Sequence, residues 1–267
     1  VLGHALYMKA IHGAKAKSDR IDSAKIAVLV RGGLMPVAYA YPADMRATRD
    51  LMRRRLLFVR QRGSLLAHVQ ITHHQYNVDP PGKRITYRSN REGLGEGFED
   101  SSVRHSIAAD LALADHYEVT IGELELAVLR QARIHDPNAL ALLTSVPGIG
   151  KVLALTILYE IHDIARFPSV RDFASYSRLV KCERSSAGKS LGSGGNKIGN
   201  AYLKWAFSEA AVLFIAKSEQ GRTVLTRLER KYGKPKALSV LAHKLGRAVY
   251  YMLARKQAFD PQRFATT

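Results

Sequence analysis

The sequence is short of acidic residues, of cysteine and of long apolar runs. Asp and Glu number 23 against 41 Lys and Arg, so the net charge is +18 and a polyanionic partner is expected. The single cysteine, Cys182, excludes a disulfide framework and a cysteine-rich zinc module, and it fits a reducing compartment. No apolar run reaches the ~18 residues of a membrane span, and Val1 to Met8 lacks the charged region of a signal peptide. We therefore expect a soluble cytoplasmic protein without a membrane partner.

Apolar periodicity predicts two long helices that fold back on each other. Spacings of four and three, typical of a coiled-coil seam, link Met52, Leu56, Val59, Gly63 and Leu66. A second helical series comprises Val103, Ile107, Leu111, Ala114, Tyr117, Ile121, Leu124 and Val128. The polar, glycine-rich stretch 77–100 between them predicts a loop or a flexible crossover. An earlier segment, 18–30, has the pattern of a helix that is buried on more than one face.

The charges of the two long helices are complementary. Residues 43–73 carry seven Arg and two Asp, whereas residues 101–135 carry three Arg and five acidic residues, so ion pairs across the seam are expected. The run Arg53 to Arg55 is equally well explained as a solvated face. Most of the excess positive charge lies further along the chain, because residues 178–267 hold 18 basic and five acidic side chains. This last third is the candidate region for binding a polyanion.

A proline–glycine turn between apolar segments is the sharpest local pattern. Residues 142–151 read Leu-Leu-Thr-Ser-Val-Pro-Gly-Ile-Gly-Lys, as in a helix-hairpin-helix. Gly148 and Gly150 would let the backbone turn tightly and approach another backbone, and the amides of the next helix would face a phosphate oxygen. Lys151 would add a full charge. Such contacts position nucleic acid without reading its bases; the alternative is an ordinary turn between two helices.

Two aspartates, Asp19 and Asp22, stand at the start of the predicted helix 18–30. Their i, i+3 spacing places both carboxylates on one helix face, where hard oxygen ligands suit Mg²⁺ better than a transition metal. An acidic pair in this position more commonly caps the helix and interacts with its dipole. The pair alone therefore leaves both roles open.

A segment rich in Gly, Ser and Lys follows at residues 181–200. Small residues allow the main chain to approach a sugar–phosphate backbone. The cations that would neutralise phosphates are Lys181, Arg184, Lys189 and Lys197. The segment is not a P-loop, because the Gly-x-x-x-x-Gly-Lys-Ser/Thr spacing is not met. By composition, a mobile surface loop is equally plausible.

The remaining candidates favour structural roles. His73 and His74 have no partner with metal-ligand spacing and are expected to be solvated. Lys244, Arg247 and Arg255 are interpreted as cations on a helix surface. Three aromatic residues could stack on bases, but with their apolar neighbours they are better explained as a buried helix face: Tyr202, Trp205 and Phe207.

Three motifs occur in a fixed order along the chain. They are Lys17-Ser-Asp-Arg-Ile-Asp22, the proline–glycine turn around Gly148, and Ser186-Ala-Gly-Lys189 running into Lys197-Ile-Gly-Asn-Ala-Tyr-Leu-Lys-Trp-Ala-Phe207. In this order they resemble the transposases of insertion-sequence family 110, subgroup 1111, over nearly the whole chain. The resemblance implies a ribonuclease-H-like domain with an Asp-Glu-Asp-Asp metal site, a coiled-coil insertion and a C-terminal domain with a nucleophilic serine.

By this resemblance, Asp19 and Asp22 match the last two acids of a Mg²⁺ site, and Ser186 matches the serine that forms a phosphoserine with DNA. Ser185 is the alternative nucleophile. The family's first Asp and its Glu lie upstream of the Asp-x-x-Asp, and only eighteen residues precede Asp19. We therefore expect an N-terminally incomplete copy that is inactive alone. The resemblance also implies DNA as substrate, a structured guide RNA, a homo-oligomer and a bacterial, nucleoid-associated location.

The sequence thus predicts a mainly α chain in three parts. Residues 1–42 are the end of a ribonuclease-H-like α/β domain, residues 43–136 an antiparallel coiled-coil arm with the loop 77–100, and residues 137–267 a helical transposase domain with the helix-hairpin-helix. The expected function is DNA transposition. The rival is a non-catalytic nucleic-acid-binding protein that uses the turn and the basic tail as an architectural clamp. A coiled-coil scaffold would leave both features unexplained.

Overall fold

The chain is mainly α-helical, as predicted. The computed structural model describes residues 1–8, 18–187, 189–194 and 198–266, and for 182–186 and 190–194 it describes the backbone. The helices are α1 Asp19–Arg31, α2 Ala43–Gln75, α3 Ser101–His135, α4 Pro137–Thr144, α5 Lys151–Ile161, α6 Val170–Tyr176, α7 Ala201–Lys217, α8 Glu219–Tyr232, α9 Lys234–Arg255 and α10 Pro261–Thr266. Two strands, β1 Cys182–Ser186 and β2 Lys189–Gly194, form an antiparallel ribbon. The chain divides into two compact units, Val1–Arg46 and Ala47–Thr267.

The first unit contains α1 and extended segments. Ser18 caps α1, because its hydroxyl accepts a hydrogen bond of 3.3 Å from the amide of Ile21. An isolated bridge joins Gly3 to Val37. No residue of α1 is buried by the described part of the chain, so the prediction of a helix buried on more than one face is wrong. The physical reason is that the described residues of this unit form no sheet on which α1 could pack.

Helices α2 and α3 run antiparallel and pair through their charges. Arg55 lies 2.5 Å from a carboxylate oxygen of Glu125, and Arg62 lies 3.6 Å from Glu118. The two pairs are seven residues apart on both helices, which is the repeat of a coiled coil. The predicted ion pairs between these helices are therefore confirmed. Because they are partly solvated, each contributes at most about 1 kcal/mol and mainly fixes the alignment of the helices.

Apolar side chains fill the interface between α2 and α3. Met52, Leu56 and Leu66 are buried, and every member of the second predicted series is buried or half-buried. Gly63 is exposed, and a Cβ on it would have no neighbour within 4 Å. Its place in the predicted seam is therefore wrong, since a residue without a side chain adds no apolar area. The buried series continues instead at Val69.

The segment between the two long helices is a loop, as one of the two predictions has it, and it forms a packed cap rather than a flexible crossover. Ile85 and Phe98 are buried in the apolar cluster at this end of the helices. Arg91 is only 5% exposed and donates hydrogen bonds to the carbonyl oxygen of Ile85 at 2.8 Å and to the carboxylates of Asp115 and Glu118. A buried guanidinium with several acceptors holds the cap in place. These contacts link residues far apart in sequence, so local composition did not reveal them.

His73 departs from the prediction that both neighbouring histidines are solvated. Its side chain is 3% exposed, its Nδ1 lies 2.8 Å from the carbonyl oxygen of Val69, and its ring meets Phe98 edge-on. His74 is exposed, as predicted. The backbone of α2 satisfies the buried imidazole, so His73 is part of the interface rather than of a surface.

The helices that follow α3 pack around α5 and α7. Residues 153–161 of α5 are all buried. Helix α7 contacts α5, α8 and α9, and α8 also contacts α10. Phe207 is fully buried with its neighbours Leu203, Ala206, Ala210 and Phe214, which confirms this part of the predicted apolar face of α7. Tyr202 and Trp205, predicted on the same buried face, are only half-buried. These helices form the base from which the candidate site extends.

Candidate nucleic-acid interface

The turn between α4 and α5 is built around a glycine that packs against another helix. Gly148 has a φ of +93°, and a Cβ on it would lie 2.5 Å from the amide nitrogen of Phe214 in α7. Only glycine permits this approach. Gly148 therefore does meet another backbone, as the sequence predicts, and the partner is the protein's own α7. This packing accounts for Gly148 without a phosphate contact.

The next two positions of the turn lie on the surface. Gly150 is the N-cap of α5, and a Cβ on it would have no neighbour within 4 Å. Gly150 and Lys151 are both exposed, and no side chain caps the first amides of α5. Such amides can donate to a phosphate oxygen. The sequence predicts a phosphate contact for Gly148, Gly150 and Lys151 together. Of these three residues, only Gly150 and Lys151 are exposed and could make it.

The segment with the predicted nucleophile forms the two-stranded ribbon. Ser186 ends β1 and pairs in register with Lys189, the first residue of β2. Ala187, at the tip between them, has a φ of +49°, as tight hairpin turns require. Lys181, Ala187 and Lys189 are exposed. The other candidates are Arg184 and Ser185, which lie within β1, and Lys197, which lies outside the described residues.

Two hydrogen bonds close the base of this segment. The amide of Asn200 donates to the carbonyl oxygen of Tyr176 at 2.6 Å, and Nε of Arg178 donates to the carbonyl oxygen of Gly199 at 2.9 Å. Gly199 has a φ of +95°, and a Cβ on it would lie 2.6 Å from the same Tyr176 oxygen. Only glycine fits this crossing point. Gly199 and Asn200, at the end of the segment, therefore lie beside Tyr176 and Arg178, which precede it.

Asn200 connects the base of the segment to a buried ion pair. Its Oδ1 accepts hydrogen bonds from the amides of Tyr202 and Leu203, which caps α7, and its Nδ2 donates to Glu160 at 2.6 Å. Glu160 is 4% exposed and accepts two hydrogen bonds of 2.7 Å from Arg53. These bonds raise the pKa of Arg53 above its ordinary value. The carboxylate is thus compensated by a bidentate guanidinium and an amide.

Sequence reasoning missed this polar network. The sequence leaves the run from Arg53 to Arg55 open between pairing and a solvated face; Arg53 and Arg55 each bind a carboxylate, whereas Arg54 is exposed. Glu160 is the residue from which the network could have been predicted, because it is the one carboxylate in the apolar helix α5. A carboxylate on a buried helix needs a partner that compensates its charge.

The two aspartates that were candidate Mg²⁺ ligands lie in the first turn of α1. Asp19 is exposed and Asp22 half-buried, and both are favourably placed near the positive end of the helix dipole. Across the described residues, no group of three or more His, Cys, Asp or Glu side chains could hold a metal ion. Two carboxylates give only part of the ligand shell of Mg²⁺. The described residues alone therefore do not fit a complete Mg²⁺ site.

Comparison with known proteins identifies what this arrangement resembles. Residues 140–225 match the model of the transposase IS116/IS110/IS902 family. The chain is similar to insertion-sequence transposases. It is 26% identical over 248 residues to "Putative transposase y4qE" of Sinorhizobium fredii. The aligned region covers 91% of this chain and 60% of that protein. It is 22% identical over 253 residues to the transposase for insertion sequence element IS1111A of Coxiella burnetii, which covers 91% of this chain and 68% of that protein.

The transposase-like region contains the features described above. Residues 140–225 include the turn at Gly148, the ribbon with Ser186 and the Asn200 cap of α7. The arm formed by α2 and α3, and α1 with its two aspartates, lie outside this match. In the part of the chain that the structure covers, no helix combines the length and the apolar character needed to cross a membrane.

Proposed function

We propose that the chain acts in DNA transposition or recombination for an insertion sequence, with Ser186 as the nucleophile. One observation carries the proposal. The region that matches the transposase family contains a ribbon with Ser186 at its tip, in register with the exposed Lys189. The hydrogen bond from Arg178 to Gly199 joins the two ends of this segment, and the bond from Asn200 to Tyr176 ties them to α6. A serine at the turn end of β1, on a ribbon whose base is tied to the helices, suits attack on a large substrate.

The proposed reaction proceeds through a covalent protein–DNA intermediate. The hydroxyl oxygen of Ser186 forms a bond to the phosphorus of a DNA phosphodiester, and its proton passes to a base in the solvent. The bond between phosphorus and one sugar oxygen breaks, and this oxygen leaves with the electron pair and takes up a proton. A sugar hydroxyl of another strand then attacks the phosphoserine, which joins the DNA and restores Ser186. Each step exchanges one P–O bond for another, so no external energy source is required.

The cations of the ribbon support a role in holding the reacting phosphate. Lys181 precedes β1 and Lys189 begins β2, and both are exposed. Positive charge near the phosphate stabilises the negative charge that develops on it during the reaction. Gly150 and Lys151 at the start of α5 would hold a second phosphate and position the duplex without reading its bases. Together these contacts would favour DNA of any sequence.

The remaining partners belong to the same proposal. Asp19 and Asp22 would supply two carboxylates to a Mg²⁺ ion, whose other ligands would come from outside the described residues. Strand exchange requires more than one active site, so we expect a homo-oligomer. The ion pairs at heptad spacing between α2 and α3 support a coiled-coil arm that could bring copies together. The net charge of +18 suits DNA in the bacterial nucleoid and a structured guide RNA alike.

Trapping of a covalent adduct tests the proposal. Labelled duplex DNA with the ends of the insertion sequence is incubated with Mg²⁺ and the protein, both as this chain and extended to the length of its relatives. An adduct that Ser186→Ala abolishes and Ser185→Ala leaves intact supports the proposal. An adduct that survives Ser186→Ala overturns the assignment of the nucleophile. DNA binding without an adduct in either form of the protein favours the rival function, a non-catalytic architectural protein.

A further inference from the structure

A groove between α8, α9 and α10 lies beyond residue 225, where the match to the transposase family ends. We call it the basic groove. Its volume is about 870 Å³, and the cations that line it are Arg227, Lys231, Lys244, Arg247, Arg255 and Arg263. Asp260 is the one carboxylate in this lining, and its oxygen accepts hydrogen bonds from the amides of Gln262 and Arg263 at the start of α10. The groove therefore presents strong positive charge to solvent.

The cations of the basic groove crowd one another. Burial, followed by the charges of Arg227 and Arg247, lowers the pKa of Lys244. Burial and the charge of Arg247 also lower the pKa of His243. None of Arg227, Lys244 and Arg247 forms an ion pair with a carboxylate of the described residues. Like charges in a half-buried cleft are unfavourable, and a bound polyanion would remove this cost.

The spacing of the cations suits an extended anionic chain. Lys244, Arg247 and Arg255 recur on one face of α9, and the eleven-residue separation between the first and the last spans roughly 16 Å. Neighbouring phosphates of one DNA strand are about 3.4 Å apart along the helix axis, so the row of cations is long enough to contact several phosphates. Arg227 and Lys231, four residues apart on α8, line the same groove. A chain of several phosphates would therefore contact both helices.

Two tyrosines with exposed rings stand among these cations. Tyr232 and Tyr251 are 43% and 37% exposed and line the basic groove. Nζ of Lys231 lies 5.2 Å from the centroid of the Tyr232 ring, and the guanidinium carbon of Arg255 lies 4.8 Å from that of Tyr251. Grooves that combine cations with exposed aromatic rings are typical of sites for single-stranded nucleic acid, in which rings stack on bases. A duplex keeps its bases stacked inside and would leave the rings unused.

We infer that the basic groove binds a single-stranded segment of nucleic acid. Its phosphates lie on Lys231, Lys244 and Arg247, and a base stacks on Tyr251. The inference deepens the function proposed above, on which it rests for the presence of a nucleic-acid substrate, and it does not involve Ser186. DNA and RNA share the phosphates and the base faces that this site would recognise.

Binding measurements on charge variants test the inference. Fluorescence anisotropy is measured with single-stranded oligo-dT, single-stranded oligo-rU and a duplex of equal length, using Ser186→Ala protein. The variant Lys231→Gln/Arg247→Gln removes two exposed cations of the basic groove. The control Arg171→Gln/Lys217→Gln removes two exposed cations outside its lining. We expect the groove variant to weaken single-strand binding about tenfold and to reduce the salt slope by about 1.4, whereas the control leaves both nearly unchanged.

A second pair of variants tests stacking at Tyr251. Tyr251→Leu removes the ring and should weaken single-strand binding about tenfold, whereas Tyr251→Phe keeps the ring and should bind as before. Tighter binding of oligo-dT than of oligo-rU identifies the ligand of the groove as DNA, and the reverse order identifies it as RNA. Either result supports the inference. Equal losses of single-strand binding in the groove and control variants, or single-strand binding that the groove variant and Tyr251→Leu leave unchanged, would overturn it. Since Ser186 is absent from the assay, failure here leaves the adduct test of the proposed function unaffected.

Discussion

Replacing Gly148 with alanine tests whether the turn between α4 and α5 is held by packing. The new Cβ would lie 2.5 Å from the amide nitrogen of Phe214 and 2.8 Å from the carbonyl carbon of Leu213, both in the backbone of α7. Helix backbone cannot rotate away as a flexible side chain can. The left-handed φ of +93° costs alanine about 1–2 kcal/mol, and overpacking adds about 1–3 kcal/mol.

The expected loss in the free energy of unfolding for Gly148→Ala is therefore about 2–5 kcal/mol, a large share of the ~5–15 kcal/mol of a typical protein. Gly150→Ala is the matched control, because it lies two residues away with a φ of −81° and no neighbour within 4 Å. Its loss should stay below about 1 kcal/mol. Urea unfolding followed by circular dichroism measures both. Equal losses in the two variants would refute the packing of Gly148 against α7.

Three further predictions concern the turn, the buried ion pair and the arm. Gly150→Val should stay folded and weaken binding of all duplex sequences equally; unchanged binding in a filter assay would show that the turn is structural only. A double-mutant cycle with Arg53→Met and Glu160→Gln should give a coupling energy of about 1–3 kcal/mol by urea unfolding, and a value near zero would contradict the observed pair. Arg91→Met should destabilise the cap 77–100 by at least about 2 kcal/mol. Hydrogen exchange should then rise in this segment, and a rise confined to α7 would count against the role of Arg91.

The long helices and the core of α7 could be predicted because their signals are periodic. A stripe of apolar residues needs only the geometry of one helix to be recognised, and Ile107 and Phe207 were found in this way. The cap 77–100 could not be predicted, because its order comes from Arg91 and from partners on α3 that are distant in sequence. Polar composition predicts a loop and does not tell how tightly the loop packs.

In the candidate site, too, local patterns could be predicted from the sequence and contacts between distant residues could not. The segment 181–200 is recognisable from the sequence as a unit, but the structural roles of its last two residues are not: Gly199 closes the base of the ribbon segment, and Asn200 caps α7. The ion pair that supports it joins Arg53 to Glu160 across 107 residues of sequence. In the sequence alone, Arg53 is equally well explained as part of a solvated face, so its pairing with Glu160 cannot be predicted. Only the fold brings the guanidinium, the carboxylate and the amide together.

The claim that Ser186 is the nucleophile is tested most directly by locating the DNA on the protein. Trypsin cuts after Arg184 and Lys189, so Ser185 and Ser186 fall in one short peptide, Ser-Ser-Ala-Gly-Lys. After adduct formation, nuclease and trypsin digestion would leave a nucleotide remnant that mass spectrometry can assign by fragmentation. The account predicts the remnant on Ser186. A remnant on Ser185, or on a residue outside this peptide, would contradict it.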